Sequence, residues 1–154
     1  MYQKIMVPLD GSELAECVFP HVEALAGGCQ VKDIVLIRVV EPFNPPSSPE
    51  FVMGPEMITR VEGQMKAEAD DYLRQAKTKV KVDGANIGTG RLYGRPAETL
   101  ADYATKHGVD LIVIATHGRS GVSRWVWGSV ADRILRSACV PVLMVRVPGC
   151  VPGI

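Results

Sequence analysis

The chain lacks an excess of either charge, a close pair of cysteines and a long apolar run, and each absence removes a class of protein. Lys plus Arg and Asp plus Glu both number 17 among 154 residues, so the broad basic field of a nucleic-acid binder is missing. No nucleic-acid partner is expected. The cysteines Cys17, Cys29, Cys139 and Cys150 lie far apart with no Cys-x-x-Cys pair, so neither a zinc framework nor a disulfide scaffold is signalled and they read as reduced thiols. No uncharged apolar stretch approaches the ~18 residues that span a bilayer. The opening apolar residues run directly into Pro8 and Asp10, so no membrane partner and a cytoplasmic location are expected. Two phosphate-binding signatures are also absent. Asp10-Gly11-Ser12-Glu13 stands where Gly-x-Gly-x-x-Gly would mark a dinucleotide site, and no Gly-x-x-x-x-Gly-Lys-Ser/Thr occurs.

What is present suits one α/β domain. The length is that of a single compact unit, and 47% apolar with 22% charged residues is close to a globular average. Residues 4–9 form a short apolar run that ends in a turn, with Ser12 offered as a helix start. Leu14, Val18, Val22 and Leu25 recur at helical spacing, which predicts a helix from Ser12 to Ala26, kinked at Pro20 and ended by Gly27-Gly28. Ile34 to Val40 is apolar and β-branched apart from Arg38, the pattern of a strand buried on both faces.

A proline-rich loop of unusual length occupies residues 42–55. It suits a lid or a partner site, with Ser47 and Ser48 as candidate modification points, and the residues do not choose. A long amphipathic helix follows, with Ile58, Val61, Met65, Tyr72, Ala76 and Val80 on one face. The weakly alternating Ala85 to Tyr93, with Gly88 and Gly90, suits an edge strand. Arg95-Pro96 opens a helix that His107-Gly108 closes, and Leu111 to Ala115 is an uninterrupted apolar strand. Residues 116–127 read as loop with room for one turn of helix, Ser129 to Ser137 as helix, and Val140 to Val145 as the last strand, with Pro141 near its start. Strands alternating with helices predict an open five-stranded parallel sheet with helices on both faces.

In such sheets ligands bind beyond the carboxyl ends of the strands, where strand order reverses. The loop after the fourth strand carries the richest chemistry. Gly118, Gly121 and Gly128 let backbone amides approach an anion, and Gly128-Ser129 starts a helix whose amides favour negative charge. Residues 117–136 hold Arg119, Arg124, Arg133 and Arg136 against the single acid Asp132, a local charge of +3. A phosphate is the natural guest. Blander roles fit some of the same residues. Ser129 with Asp132 makes a capping box, Asp10 suits a turn-former, Trp125 and Trp127 suit packing, and His117 suits a loop hydrogen bond, since no motif supplies it with a nucleophile and an acid.

The opening Ile5-Met6-Val7-Pro8-Leu9-Asp10-Gly11-Ser12 and the block from Ile112 to Val145, read together, resemble the universal stress protein family over nearly the whole chain. ATP-binding members of that family carry Gly, two residues, Gly, nine residues, Gly, then Ser or Thr. Gly118, nine residues, Gly128 and Ser129 reproduce the longer spacing, while Ala115 replaces the first glycine with the smallest side chain available. The resemblance implies a Rossmann-like fold of the adenine nucleotide alpha hydrolase type, with strand order 3-2-1-4-5, as one domain over residues 1–147 with a short tail over 148–154.

The same resemblance implies that Pro8 and Asp10 meet a nucleotide near the first strand and that Val39 presents its backbone to adenine. Ile114, Ala115, Gly118, Gly128, Ser129 and Val130 would line ribose and phosphates, and Arg119 joins them on charge and position. The expected ligand is ATP, with AMP or ADP as alternatives and Mg accompanying ATP. The sequence assigns no catalytic residue and no metal ligand. A homodimer through the last strand, Val142 to Val147, is expected, with an unknown downstream protein. The favoured function is a nucleotide-binding stress-response regulator without turnover. The competing ones are a slow ATPase or nucleotidyl transferase and a nucleotide-free interaction module.

Overall fold

The computed structural model describes residues 1–45, 52–116 and 129–147. Its elements follow in the order β1 (Lys4–Pro8), a 3-10 helix (Glu13–Val18), α1 (Phe19–Cys29), β2 (Asp33–Val40), α2 (Pro55–Lys79), β3 (Asn86–Tyr93), α3 (Pro96–Lys106), β4 (Leu111–Ala115), α4 (Ser129–Ser137) and β5 (Val142–Val145). The strands form one sheet in the order β3-β2-β1-β4-β5, and every pairing is parallel. This is the architecture expected from the alternation of strands and helices.

Alternation along each strand sorts the core into two layers. Ile5 and Val7 of β1, Ile34 and Leu36 of β2, and Val113 of β4 pack on one side with Val18, Val22 and Leu73 of the helical segments there. Met6, Val35, Ile37, Ile112 and Ile114 face the other way, against Leu100 of α3 and Ile134 of α4. Right-handed crossovers require this arrangement. Connections that move outward through β2 to β3 place their helices on one face, and those that return through β4 to β5 place theirs on the other.

Three expectations about boundaries need correction. Pro20 does not kink a helix already under way. It has no amide to give to the Glu16 carbonyl, so Phe19 donates there instead, the chain runs as a 3-10 turn to Val18, and Pro20 sits in the first turn of α1. Gly27 and Gly28 do not end α1. They lie on its exposed side, and the helix runs on to Cys29, capped by Gln30 in the left-handed region at φ 53°, which lets Val31 turn into the core. Pro141 precedes β5 rather than lying within it. It contributes only its carbonyl, which accepts from the Ile112 amide at 3.0 Å.

Within α2 the deeply buried residues are Ala69, Leu73 and Ala76, whereas Ile58, Val61, Met65 and Tyr72 are half-buried. The second half of the helix lies over the sheet, and the first half runs on past it. β3 occupies the sheet edge as expected, paired to β2 along its length. A Cβ at Gly90 would meet Ile37 Cδ1 at 2.8 Å, so a side chain there would push the end of Ile37 aside. Among the described residues, no helix is long and apolar enough to cross a membrane.

Leu73 is 2% exposed and joins α2 to the sheet. Leu73→Ala is expected to cost about 2–5 kcal/mol in urea unfolding, and the half-buried Met65→Ala less than about 1.5 kcal/mol. Equal losses at the two positions would show that the overhanging half of α2 is as firmly packed as the rest.

Candidate functional site

β1 ends early, and a proline decides where. In parallel pairing the amides of successive residues serve alternate neighbours. The β1–β2 register runs to Pro8 opposite Ile37, and Leu9 donates to the Ile37 carbonyl at 2.8 Å. The β1–β4 register stops at Met6 opposite Ile112. Its next bond would need an amide at Pro8, which proline lacks. β2 and β4 therefore continue past a central strand that has turned away, at the point where strand order reverses.

A cleft of about 460 Å³ fills this place. Pro8, Asp10, Val39, Ile114, Ala115, Ser129 and Val130 all line it, so the structure brings together seven of the residues expected to bind a ligand. Gly118, Arg119 and Gly128 lie outside the described residues, as do His117, Arg124, Trp125, Trp127 and the tail. Val39 lies on the same side of its strand as Ile37, which serves β1, yet no β1 residue stands in register with it. Its amide and carbonyl therefore face the cleft as an adjacent donor and acceptor. Opposite, Ser129 and Val130 at the described start of α4 line the cleft.

Asp10 is the turn-former foreseen for it, and it lines the cleft. Its Oδ1 accepts from the Ser12 amide at 2.9 Å and the Ser12 hydroxyl at 2.6 Å, and Ser12 Oγ accepts in turn from the Ala15 amide at 3.2 Å. The carboxylate thus builds the turn and lines the cleft at once. The capping-box reading of Ser129 falls at the edge of the described residues, and Asp132 accepts from Arg136 Nε at 3.1 Å.

Of the four arginines counted toward the local positive charge, the structure describes two. Arg133 and Arg136 are exposed and do not line the cleft. Among the described residues the cation that does so is Arg38, whose guanidinium carbon lies 5.4 Å from the centre of the Tyr72 ring. Sequence reasoning passed over Arg38, although a lone charge in an otherwise apolar buried strand was the available signal. It also missed Met65 and Glu68 from the overhanging half of α2, Leu100 from α3, and the buried Thr116, whose amide extends the β4–β5 pairing by donating to Val145 at 2.8 Å.

The family model for the universal stress protein family matches residues 1–146. The chain is 31% identical over 150 residues to a universal stress protein of Methanocaldococcus jannaschii, MJ0531, covering 96% of this chain and 84% of that one. Among solved structures it superposes on MJ0577 of the same organism with a TM-score of 0.82 at 25% identity, over 97% of this chain and 99% of the other. A universal stress protein solved in complex with cAMP shares the fold at a TM-score of 0.68 and 24% identity, over 95% and 98% of the two chains.

Behind the cleft, burial pushes the Tyr72 hydroxyl above its ordinary 10.0, reinforced by Glu16 and Asp10 and opposed by Arg38. The folded value lies above the unfolded one, so the stability this group contributes is whole below about pH 10 and is lost as pH rises above it. Thermal melts from pH 8 upward should show a steeper alkaline decline for the native protein than for Tyr72→Phe. Parallel declines would remove Tyr72 from the alkaline limb.

Proposed function

Because the chain belongs to the universal stress protein family, we propose that it binds an adenine nucleotide in the cleft above β1 and acts as a cytoplasmic stress-response regulator with no turnover of its own. The observation that carries this reading is the edge of Val39. Adenine presents a donor at its exocyclic amine beside an acceptor ring nitrogen, and an adjacent backbone carbonyl and amide match that pair. Met65 and Leu100 offer apolar contact for the ring. From there the ligand's length leads across the end of β1, past Asp10, to Ser129 and Val130, whose amides and helix dipole suit a phosphate. The spacing of Gly118, Gly128 and Ser129 supports the same assignment.

A neighbour of the same fold holds cAMP, which carries the same adenine edge. ATP is the proposed ligand, with Mg accompanying its phosphates, and AMP and ADP share the adenine and ribose contacts. Ala115 leaves room for a ligand, since its methyl group is tucked into the core at 7% exposure.

A homodimer through the open edge of β5 completes the proposal. Leu143 is 37% exposed on that strand, and Leu135 is exposed on the adjacent α4. A charged residue at an exposed strand edge opposes pairing. Leu143→Asp should therefore halve the mass seen by sedimentation equilibrium, and an unchanged mass would move the interface elsewhere.

Calorimetric titration of nucleotide-stripped protein with ATP and AMP, each with and without Mg, tests the binding. Micromolar affinity, about 8 kcal/mol, is expected for ATP. Gly128→Trp should abolish binding. Val39→Pro removes the amide that faces the cleft without breaking the ladder to β3, whose bonds run through Arg38 and Val40. It should weaken both nucleotides about three- to tenfold, the worth of one hydrogen bond. No heat and no thermal shift with any nucleotide would overturn the reading and favour a nucleotide-free interaction module.

A further inference from the structure

If a nucleotide lies with its base at Val39 and its phosphates at Ser129, its sugar crosses the end of β1 beside Asp10. The precision of the Asp10 turn then matters, and the structure supports that turn from beneath. Gly11 sits in the left-handed region at φ 89°, and a Cβ there would lie 2.9 Å from both Cζ and Nη1 of Arg38. The guanidinium plane is therefore packed directly against the Gly11 backbone. Its other support is the Tyr72 ring, at 5.4 Å. The Tyr72 hydroxyl reaches the same turn, donating to the Ser12 carbonyl at 3.5 Å. The Glu16 carboxylate lies beside the Tyr72 hydroxyl, raising its pKa, and Glu16 is tied to Lys79 at the end of α2 by an ion pair of 2.7 Å. The turn bearing Asp10 thus rests on a guanidinium and a ring held by two other elements.

We propose that Arg38, braced by Tyr72, is a positioning residue that holds the Asp10–Ser12 turn in place and so makes the site selective for a ligand with free ribose hydroxyls. This rests on the nucleotide reading above and assigns the sugar selectivity of that site. A carboxylate is acceptor-only and takes both hydroxyl donors of a ribose when held at a fixed distance. A displacement of a few tenths of an ångström would cost those contacts and leave base and phosphate contacts intact. A guanidinium that instead touched the phosphates would act on all nucleotides alike, whatever their sugar.

The test compares ATP with 2′,3′-dideoxy-ATP on the native protein, Arg38→Met, Asp10→Asn and the double variant, with thermal melts confirming that each folds. Arg38→Met should weaken ATP by about tenfold, change dideoxy-ATP by less than about twofold, and add less than about twofold once Asp10 is already Asn. In the ligand-free protein, Arg38→Met should also speed hydrogen exchange of the Ser12 amide, which now donates to Asp10, by about tenfold or more. Equal weakening of both nucleotides, an Arg38 effect that persists in the Asp10→Asn background, or unchanged Ser12 exchange would each overturn the proposal. Native protein that binds no ATP would sink the nucleotide reading, and Ser12 exchange then decides the positioning role by itself.

Discussion

Pro8 is the last residue of the central strand, and its missing amide faces β4. On the β2 side nothing is lost, because the bonds there use Ile37 and Leu9. On the β4 side the ladder stops at Met6 opposite Ile112. A proline is ordinarily poorly suited to a central strand. It is tolerated here because it stands where the sheet has to open. The seam between β1 and β4 is also where strand order reverses, so the helices on the two faces diverge and no crossover covers the gap. Among the described residues, the cleft lies where the central strand has no donor toward β4 and strand order reverses.

The surroundings of the cleft divide the work of the two core layers. Residues that alternate into one layer or the other continue past the end of β1 as cleft walls, Arg38 on the side of α2 and Val39 on the side of α3. The overhang of α2 has the same logic. Its second half is anchored by Ala69, Leu73 and Ala76, and its first half brings Met65 and Glu68 to the rim. Farther along, Glu62 accepts from the Tyr93 hydroxyl at 2.9 Å and the Phe43 amide at 3.4 Å. That carboxylate ties the chain leaving β2 to the helix that overhangs the site.

Legibility in the sequence followed the strength of local signals. β4 and α4 match their expected limits because an unbroken apolar run and a clean helical period leave no competing register. The edge position of β3 was readable from its glycines and weak alternation. The α1 region was misread because Pro20 and the Gly27-Gly28 pair have two meanings each. Only the carbonyl of Glu16 and the need to bury Val31 choose between them, and both are tertiary facts. At the site, residues carried on backbone turns and strand ends were legible. Arg38 was not, since its role depends on Gly11 and Tyr72, which are distant from it in sequence and meet it only in the fold. The reverse error befell Arg133 and Arg136, whose charge is local in sequence but turned toward solvent.

Amide-resolved NMR during titration with AMP is the direct test that the open edge above Pro8 is the ligand site. Shifts should gather at Val39, at Gly11 and Ser12, and at Ser129 and Val130. The amides of Thr89, Arg91 and Lys77, which line a separate groove between α2 and β3, should stay in place. Shifts centred on that groove, or none at saturating AMP, would contradict the claim.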